Sequence, residues 1–549
     1  MRNAVVVLGS FMTLLACKHG DSQGENIDLP TRGDEPGSAN ADGWWRSSTF
    51  YEVFVRSFAD SDGDGVGDFQ GLTAQLDYLN DGDPSTDTDL EVEGIWLMPI
   101  NPSPSYHGYD VTDYQEINPD YGTLDDFDAF IEAAHARGIK VIMDFVLNHG
   151  SSEHPWFRAA LADPEAPERD YFIFREDKPT SGFERPWDGA NTWHAAGSEV
   201  YYGIFWSGMP DWNLAHPEVE TMMFDAMRFW LARGVDGFRV DAVRYLIEND
   251  AGEVADLPET HAFIRTMRRE IHRDYPQALF VAEAWTDSSR IQGYYGEGDE
   301  FQLAFSFDIA GAVIESAKDG LRAGLNQAMN TTASAFSPDV NFQAPFLTNH
   351  DMVRVTRQLG ESEDGAMRIS AATLFALPGT PFVYYGEEIG MMGGAGGQDE
   401  EKRTPMRWTP EENGQFGFST ATPWRTTPEA EGIDVESQTD DPDSLLTLYR
   451  RLIRLRNESS ALNDGTVDIL TVNGAFRGVV AFLRENEDER TVFVANFDRA
   501  ATSDAVQINV AGTPTVLLAE GESGSLSSDG STLDVGPLAA QGFVFVRLD

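Results

Sequence analysis

Cysteine and basic residues are both scarce in this chain of 549 residues. There is a single cysteine, which excludes an intrachain disulfide. Lysine and arginine total 39 against 91 aspartates and glutamates, which gives a formal net charge of −52. A surface of that sign repels nucleic acid and anionic membranes but not a neutral ligand. Two origins of the charge stay open: solubility together with metal binding, or adaptation to high salt, where screening shortens self-repulsion.

Long apolar runs are also scarce, and the first of them, 4–15, is too short to span a bilayer as a mature helix. It follows Arg2, an arrangement typical of an export signal. The run leads into Leu-Leu-Ala-Cys17, which resembles the bacterial lipoprotein signal, where the cysteine is lipidated after cleavage. The alternative is an ordinary secretory signal. We therefore predict a signal peptide at 1–17, a flexible linker at 18–42 and an exported protein, anchored to the membrane through lipidated Cys17 or otherwise secreted.

Apolar strand-like runs alternate with amphipathic helical stretches from residue 49 onward, the pattern of a parallel α/β architecture. Eight such runs match the number of strands in a (β/α)8 TIM barrel. The predicted strands are 50–55, 94–98, 140–145, 237–240, 279–282, 303–307, 344–347 and 382–385. The sequence therefore predicts a catalytic barrel, domain A, in two parts at 43–149 and 214–461.

Two further regions depart from the alternating pattern. The segment 150–213, between the third and fourth strands, is too long for one helix and its loops, and it is rich in aromatic residues, proline and glycine. It predicts an inserted domain B. Beyond 461, short alternating runs separated by Gly, Ser and Asp turns predict an antiparallel β domain C at 462–549.

Four of the predicted strands run directly into charged residues. Their sequences are DFVLNH (144–149), GFRVD (237–241), VAEAW (281–285) and FLTNHD (346–351). In a parallel barrel the carboxyl ends of the strands meet at one mouth, where barrel enzymes carry out their chemistry. Asp241, Glu283 and Asp351 would therefore converge there. Three converging carboxylates indicate chemistry on a glycosidic bond, although each residue alone could instead form a salt bridge at the rim.

Hydrolysis of a glycoside requires two carboxyl groups that flank the bond, about 5–5.5 Å apart in retaining enzymes. Asp241 and Glu283 follow consecutive strands, so neighbouring positions on the rim would supply that spacing. Arg239 lies two residues before Asp241, on the same side of the strand, and would keep it ionised. Glu283 is surrounded in sequence by apolar residues, including Trp285, a setting that would raise its pKa and suit a general acid.

These four segments resemble, in order and in residue type, the four signature regions of glycoside hydrolase family 13, the α-amylase family. The resemblance extends from residue 44 to the C-terminus. It implies that Asp241 is the nucleophile, Glu283 the general acid/base and Asp351 the transition-state stabiliser. It also implies a barrel with domain B inserted after strand three and a C-terminal β-sandwich.

The same resemblance implies a set of residues that bind or support the sugar. The histidines of the first and fourth segments would contact sugar hydroxyls, Arg239 would position Asp241, and the tyrosine of HGYD (107–110) would form an aromatic platform supported by two aspartates. The implied substrate-binding residues are Tyr109, Asp110, Asp144, His149, Arg239 and His350.

A possible metal site follows the first strand, in the loop DSDGDGVGD (60–68). Carboxylates at alternate positions, with glycines that permit a tight turn, suit a hard cation such as Ca²⁺. An EF-hand is excluded because position twelve is Gly71 instead of glutamate. The loop resembles that of oligo-1,6-glucosidase-like family members, which implies a Ca²⁺ cofactor bound by Asp60, Asp62, Asp64, the Val66 carbonyl and Asp68. An acidic turn without an ion is the alternative.

The sequence does not predict the second calcium site that many other family members have. In many α-amylases that site uses an asparagine corresponding to Asn148 and a histidine just after the fourth strand. This chain has Tyr245 where the histidine would fall.

The predicted substrate is an α-glucan or a maltooligosaccharide. MPDWN (209–213) resembles the neopullulanase subfamily, whereas the 60–68 loop and RTPMRW (403–408) resemble the oligo-1,6-glucosidase subfamily. That mixture is typical of an intermediate group known mainly as α-amylases. Ala242 after the nucleophile favours α-1,4 over α-1,6 linkages by the same resemblance. We therefore predict an exported, monomeric α-amylase that hydrolyses internal α-1,4 bonds with retention.

Two other functions stay open at this point. Within the family, an exo-acting α-glucosidase or a transglycosylase such as a trehalose synthase would carry the same three carboxylates. Outside enzymes, a noncatalytic relative would act as a glucan-binding surface protein, but such proteins typically lose the nucleophile or the acid, and this chain has both.

Overall fold

The computed structural model describes residues 43–179, 182–336, 339–360, 364–411, 413–426, 429–521 and 526–549. The predicted signal peptide, its Cys17 and the predicted linker lie outside these residues. Among the residues that are described, no helix combines the length and the apolar composition needed to cross a membrane.

Eight parallel strands within the described residues form one sheet, which confirms the predicted barrel. From residue 43 to 384 the described strands are β1 (Phe50–Val53), β2 (Gly94–Leu97), β3 (Lys140–Phe145), β4 (Phe174–Arg175), β5 (Trp193–Ala196), β6 (Glu199–Tyr202), β7 (Gly237–Val240), β8 (Leu279–Ala282), β9 (Leu303–Phe305), β10 (Gln343–Ala344) and β11 (Phe382–Tyr384). The order in the barrel sheet is β10-β9-β8-β7-β3-β2-β1-β11, and a parallel bridge between Phe346 and Phe382 joins the two ends.

The seventh barrel strand differs from its predicted bounds of 344–347. The structure has β10 at Gln343–Ala344, followed by the single bridge at Phe346. Pro345 has no N–H group to donate to a neighbouring strand, so regular pairing stops there. Its carbonyl still accepts a hydrogen bond from the Phe382 N–H at 2.9 Å, which keeps the barrel closed.

Helices cover the outside of the barrel and pack through apolar faces. In the helix Leu124–Ala136, Phe127, Phe130, Ile131 and Ala134 are buried at helical spacing, and Thr123 and Asp126 form a capping box at its start. The described α-helices are α1 (Phe69–Ala74), α2 (Leu76–Leu79), α3 (Leu124–Ala136), α4 (Pro155–Ala162), α5 (Pro217–Ala232), α6 (Pro258–His272), α7 (Ser288–Ile291), α8 (Phe307–Asp319), α9 (Ala323–Ala335), α10 (Val355–Leu359), α11 (Asp364–Ala376), α12 (Asp399–Lys402), α13 (Val435–Thr439), α14 (Leu445–Glu458) and α15 (Ser460–Asp464).

The interior of the barrel is filled at one end by aromatic side chains, which we call the aromatic plug: Phe50, Trp96, Phe305, Phe346 and Phe382. All are buried, and the rings of Phe50 and Phe382, which face each other across β1 and β11, stack at 4.7 Å. Because side chains alternate along a strand, the residue two positions after Phe50, Glu52, also points into the barrel. Along β1, the barrel interior therefore changes from apolar at Phe50 to charged at Glu52.

Two regions outside the barrel are made of antiparallel strands. The short strands β4, β5 and β6 form a three-stranded sheet within the segment predicted as domain B. C-terminal to the barrel, sheets of five and four strands pack across an aliphatic core as a β-sandwich. Its strands are β12 (Thr466–Ile469), β13 (Val472–Asn473), β14 (Val479–Glu485), β15 (Arg490–Asn496), β16 (Gln507–Ile508), β17 (Pro514–Glu520), β18 (Ser527–Ser528), β19 (Leu533–Asp534) and β20 (Phe543–Leu548).

Candidate active site

A cavity of about 810 Å³ opens at the carboxyl ends of the barrel strands. Its walls combine ionisable groups from the strand ends with aromatic side chains from domain B and from the loops. The lining residues are His107, Tyr109, His149, Arg185, Pro186, Trp187, Phe205, Trp206, Met209, Asp241, Ala242, Arg244, Tyr245, Glu283, Trp285, Asp351, Asp399 and Arg403. The structure therefore brings the three predicted catalytic carboxylates to one cavity.

Arg239 is the buried cation that joins several of these carboxylates. Its Nη1 lies 2.6 Å from Asp241 Oδ1 and 2.8 Å from Asp144 Oδ1, and its Nη2 lies 3.8 Å from Glu283 Oε2. The side chain is fully buried, as is that of Asp144, so these charges are satisfied by each other and not by water. Asp241 and Glu283 thus face the same guanidinium from the ends of neighbouring strands.

Glu283 follows β8 and differs from Asp241 and Asp351 in its environment. Its Oε2 accepts a hydrogen bond from the Ala242 N–H at 2.8 Å. Ala242 adopts a left-handed conformation, φ 51° and ψ 36°, so that the chain turns sharply after Asp241 and presents this N–H. Burial raises the pKa of Glu283 to about 8; Arg239 opposes that rise, and the charges of Asp241 and Asp351 add to it. Glu283 is therefore protonated near neutral pH.

Asp351, in contrast, is held ionised by two cations. Arg403 Nη2 lies 2.9 Å from its Oδ1, and His350 Nε2 lies 3.0 Å from its Oδ2. Burial raises the pKa of Asp351, but His350 and Arg403 outweigh burial and hold the pKa far below its ordinary value. The cavity thus contains one carboxyl group that keeps its proton and another that loses it.

His350 lies beneath the cavity instead of lining it. Its Nδ1 is 2.5 Å from Glu52 Oε1, and its Nε2 is 2.6 Å from the Tyr109 hydroxyl, which donates to Asp144 Oδ2 at 2.9 Å. Both ring nitrogens thus have protein partners, whereas the resemblance implied a contact with sugar hydroxyls. In this structure His350 supports Asp351 and Tyr109, and those two residues reach the cavity.

His149 and Asp110 occupy different positions relative to the cavity. His149 lines it, and its buried Nε2 has no hydrogen-bond partner, so this atom is available to a ligand hydroxyl. Burial lowers the pKa of His149 to about 4, which leaves the ring neutral. Asp110 lies behind the cavity, where Ser103 donates to it at 2.5 Å and Ser105 also donates. Asp110 therefore anchors the loop that carries Tyr109.

Three tryptophans project at the rim of the cavity. Trp187 is 47% exposed, Trp206 50% and Trp285 47%, which is unusual for so large an apolar side chain. Trp285 stacks on Phe307 at 4.6 Å, with the two rings nearly parallel. Exposed indole faces around a cavity suit the C–H faces of sugar rings.

The acidic loop after β1 brings together part of the predicted calcium site. Asp60, Asp62 and Asp68 each offer a carboxylate oxygen, and these oxygens lie within 4.8 Å of one another. Asp64 is not in that group, and its Oδ1 accepts a hydrogen bond from the Val66 N–H at 2.8 Å. Three clustered oxygen donors fit a hard divalent cation.

Several charged residues of the site were not predicted as site residues, and two of them, Glu52 and Arg403, contact the His350–Asp351 pair directly. Glu52 is a single acid in the fully buried strand β1. A buried carboxylate needs a partner, so this position carried a usable signal in the sequence. Arg403 lies in a long loop whose path to Asp351 depends on the tertiary structure, and no local pattern identifies it.

Comparison with known proteins agrees with this geometry. The family model described as "Alpha amylase, catalytic domain" matches residues 52–465. "Alpha-amylase 3" of Dictyoglomus thermophilum is 36% identical over 458 residues, covering 83% of this chain and 86% of that protein. A "Trehalose synthase/amylase" of Mycolicibacterium smegmatis is 34% identical over 495 residues, covering 80% of each chain.

Among solved structures, the α-amylase from H. orenii superposes with a TM-score of 0.81 at 39% sequence identity. The match covers 91% of this chain and 99% of the other. The similarity therefore includes the barrel, the insertion and the C-terminal sandwich together.

Proposed function

Since the chain belongs to the α-amylase family, glycoside hydrolase family 13, and is a glycoside hydrolase, we propose that it hydrolyses internal α-1,4 bonds of starch and maltooligosaccharides with retention. The observation that carries this proposal is the pair Asp241 and Glu283, which face one buried guanidinium at the floor of an open cavity. The pair supplies a nucleophile whose carboxyl group is bound to Arg239 and an acid that is protonated near neutral pH, the two roles that retaining hydrolysis requires.

In the first step, Asp241 attacks the anomeric carbon and Glu283 donates its proton to the departing glycosidic oxygen. Arg239 keeps a positive charge against Asp241 Oδ1, which leaves Oδ2 to form the covalent bond. In the second step, Glu283 takes a proton from water, and the hydroxide oxygen displaces Asp241 from the sugar. Asp351 remains ionised throughout and stabilises the positive charge that develops on the ring.

The same cavity explains how a glucan would be held. Tyr109 presents its ring beside His350, with the two rings nearly parallel at 5.5 Å, and serves as the platform below the sugar at the cleavage point. His149 Nε2 offers an unpaired nitrogen to a hydroxyl. The tryptophans at the rim extend the binding surface beyond a single sugar, which favours a chain over a disaccharide.

The direct test is a time course of products from soluble starch, maltose and isomaltose, separated by thin-layer chromatography. Mixed maltooligosaccharides appearing early, with little glucose, are expected of an endo-acting enzyme. Glucose from the short substrates with starch nearly intact would contradict the proposal and indicate an exo-acting α-glucosidase.

A second candidate function is transglycosylation of maltose to trehalose, and a relative named trehalose synthase/amylase at 34% identity favours it. The same maltose incubation tests it. Accumulation of trehalose in place of glucose and longer oligosaccharides would support this function, and its absence over complete consumption of maltose would exclude it.

We further propose that a calcium ion binds the acidic loop through Asp60, Asp62 and Asp68, with Asp64 and the Val66 carbonyl completing the site. The ion would order a loop that is joined to a distant part of the chain, because Asp60 Oδ2 also accepts a hydrogen bond from the Ser419 hydroxyl at 2.5 Å. A bound ion stabilises only the folded state, by about 2.7 kcal/mol at a hundredfold excess over Kd.

Chelation tests this proposal. EGTA should lower the melting temperature by several degrees, and added Ca²⁺ should restore it. In Asp62→Asn the response to EGTA should shrink, whereas Asp83→Asn, in an exposed acidic turn elsewhere, should retain it. An equal response in both variants, or bound calcium absent by elemental analysis, would contradict the site.

Finally, we propose that the protein is an exported monomer that meets its glucan outside the cytoplasm, with Cys17 as the lipidation site of a membrane anchor. The Leu-Leu-Ala-Cys17 signal supports this location. Mass spectrometry of the full chain expressed in a bacterial host would test it. Cleavage before Cys17 with a diacylglyceryl mass increment is expected, and an unmodified Cys17 or its loss would contradict the anchor.

A further inference from the structure

Glu52 is a buried carboxylate that the chemistry described above does not use. It lies in β1, where all four residues are buried, and its side chain is 2% exposed. It is absent from the walls of the cavity, so it does not touch a substrate there. Its Oε1 lies 2.5 Å from His350 Nδ1, a short contact between a carboxylate and an imidazole.

The other nitrogen of His350 faces the reacting part of the site. Nε2 lies 3.0 Å from Asp351 Oδ2 and 2.6 Å from the Tyr109 hydroxyl. Both of these residues line the cavity. His350 therefore connects Glu52, which a substrate does not reach, with two groups that a substrate touches.

The protons in this chain of contacts can be placed so that each contact has a donor. If one proton sits between Glu52 and Nδ1 and another on Nε2, then Nε2–H faces both Asp351 Oδ2 and the Tyr109 hydroxyl oxygen, and the Tyr109 hydroxyl donates to Asp144. If His350 carries a proton on Nδ1 alone, the Nε2 lone pair faces the Asp351 carboxylate at 3.0 Å and repels it. Burial raises the pKa of Glu52, and His350 and Arg239 oppose that rise. Its carboxylate against Nδ1 favours the imidazolium and so disfavours that second case.

We propose that Glu52 is a positioning residue for this active site: it holds His350 as an imidazolium whose Nε2–H fixes the orientation of Asp351. This inference rests on the proposed role of Asp351 in stabilising the transition state. Glu52 acts through His350 and does not itself take part in bond making or breaking.

Charged and titratable groups face His350 from several elements of the barrel, and the two anions nearest to its ring favour the imidazolium. Glu52 approaches from β1, Tyr109 from the loop after β2, Asp144 from β3, Arg239 from β7, and Asp351 and Arg403 from the loops above. Burial lowers the pKa of His350, but Asp351 and Glu52 raise it to about 9. The two nearest anions thus outweigh the cost of burying the cation.

A second buried carboxylate provides a matched control. Glu388 accepts hydrogen bonds from the hydroxyls of Tyr51 at 2.7 Å and Tyr78 at 2.6 Å, and it is fully buried. It touches the same strand as Glu52, through the neighbouring residue Tyr51. It contacts neither His350 nor the cavity, so replacing it tests the cost of a buried amide alone.

The first experiment compares Glu52→Gln with Glu388→Gln. In Glu52→Gln the amide retains the size and one acceptor but loses the charge, and we expect kcat to fall by about 10- to 100-fold with KM changed less than about threefold. We also expect activity to decline at a lower pH than in the wild type, as His350 loses its proton earlier. Glu388→Gln should keep kcat and the pH profile. Equal effects in the two variants would overturn the proposal.

The second experiment reads the charge of His350 directly and needs no substrate. The chain has 10 histidines, and ¹⁵N-histidine labelling reports the charge of each ring by NMR. His350→Gln identifies the signal. We expect the wild-type ring to stay an imidazolium at pH 7 and to lose its proton near pH 9, whereas a neutral ring at pH 7 would overturn the proposal. Failure of the enzyme on glucans would leave this result unaffected, so the two failures are distinguishable.

Discussion

The two ends of the barrel interior are built from the same strands but have opposite chemistry. On β1, Phe50 belongs to the aromatic plug, and Glu52, two residues later on the same side, pairs with His350. On β2, Trp96 packs against Phe305 of the plug at 5.2 Å and also lies 5.3 Å from the Arg239 guanidinium. Trp96 thus lies where the apolar part of the barrel interior meets the charged part.

The comparison shows how a buried charge is made tolerable. Ions in a protein interior cost several kcal/mol each unless paired, and the geometry here pairs each of them more than once. Arg239 contacts three carboxylates, and His350 contacts two. The plug needs no such matching, since its stability comes from packed apolar area. Substitutions at the charged end should therefore impair catalysis, and substitutions in the aromatic plug should impair folding.

The largest expected effect follows from removing the nucleophile. Asp241→Asn keeps the side-chain shape but abolishes covalent catalysis, so we expect kcat to fall by on the order of 10⁴-fold or more. The melting temperature should change by only a few degrees, because Asp241 is one of several partners of Arg239. Turnover above about 1% of the wild type, measured on soluble starch, would contradict the role of Asp241.

A substitution in the aromatic plug should lower the stability and leave kcat nearly unchanged. Phe305→Ala removes a ring that packs against Trp96, Phe346 and Phe382, and we expect a loss of about 3–5 kcal/mol in unfolding free energy. Below the melting temperature, kcat should stay within about threefold. Phe305→Leu, which leaves less empty volume, is the control and should lose less. A large loss of kcat without a loss of stability would break the proposed division between the two ends.

The pH dependence of wild-type activity tests the charged end of the barrel interior, and the expected effect is smaller than those of the two substitutions. Burial raises the pKa of Glu283 to about 8, and a general acid must be protonated to act. The first-step rate should therefore fall as pH rises through about 8, by tenfold per unit above it, instead of near the ordinary carboxyl pKa of about 4.3. In Phe305→Leu the pH at which the first-step rate falls should be unchanged. A fall in this rate near pH 5 would contradict the environment assigned to Glu283.

Much of this architecture could be predicted from the sequence, and the failures have physical causes. The strand ends were found because a buried apolar run seldom ends in a carboxylate such as Asp241 or Glu283 unless that group faces a cavity or a partner. The strands of domain B were not predicted because two to four residues carry too little periodicity. Glu52 was overlooked inside an apolar run, and the exposure of Trp285 depends on a packing partner, Phe307, that sequence spacing does not reveal.

The central claim, that Asp241 and Glu283 act as a retaining pair across one guanidinium, is tested most directly by the anomeric form of the first product. Proton NMR of a maltoheptaose digest, recorded before mutarotation, distinguishes the two anomers at the newly formed reducing end. We expect the α-anomer to appear first and the β-anomer only later, by mutarotation. A β-anomer as the initial product would show inversion and would contradict the double displacement through Asp241.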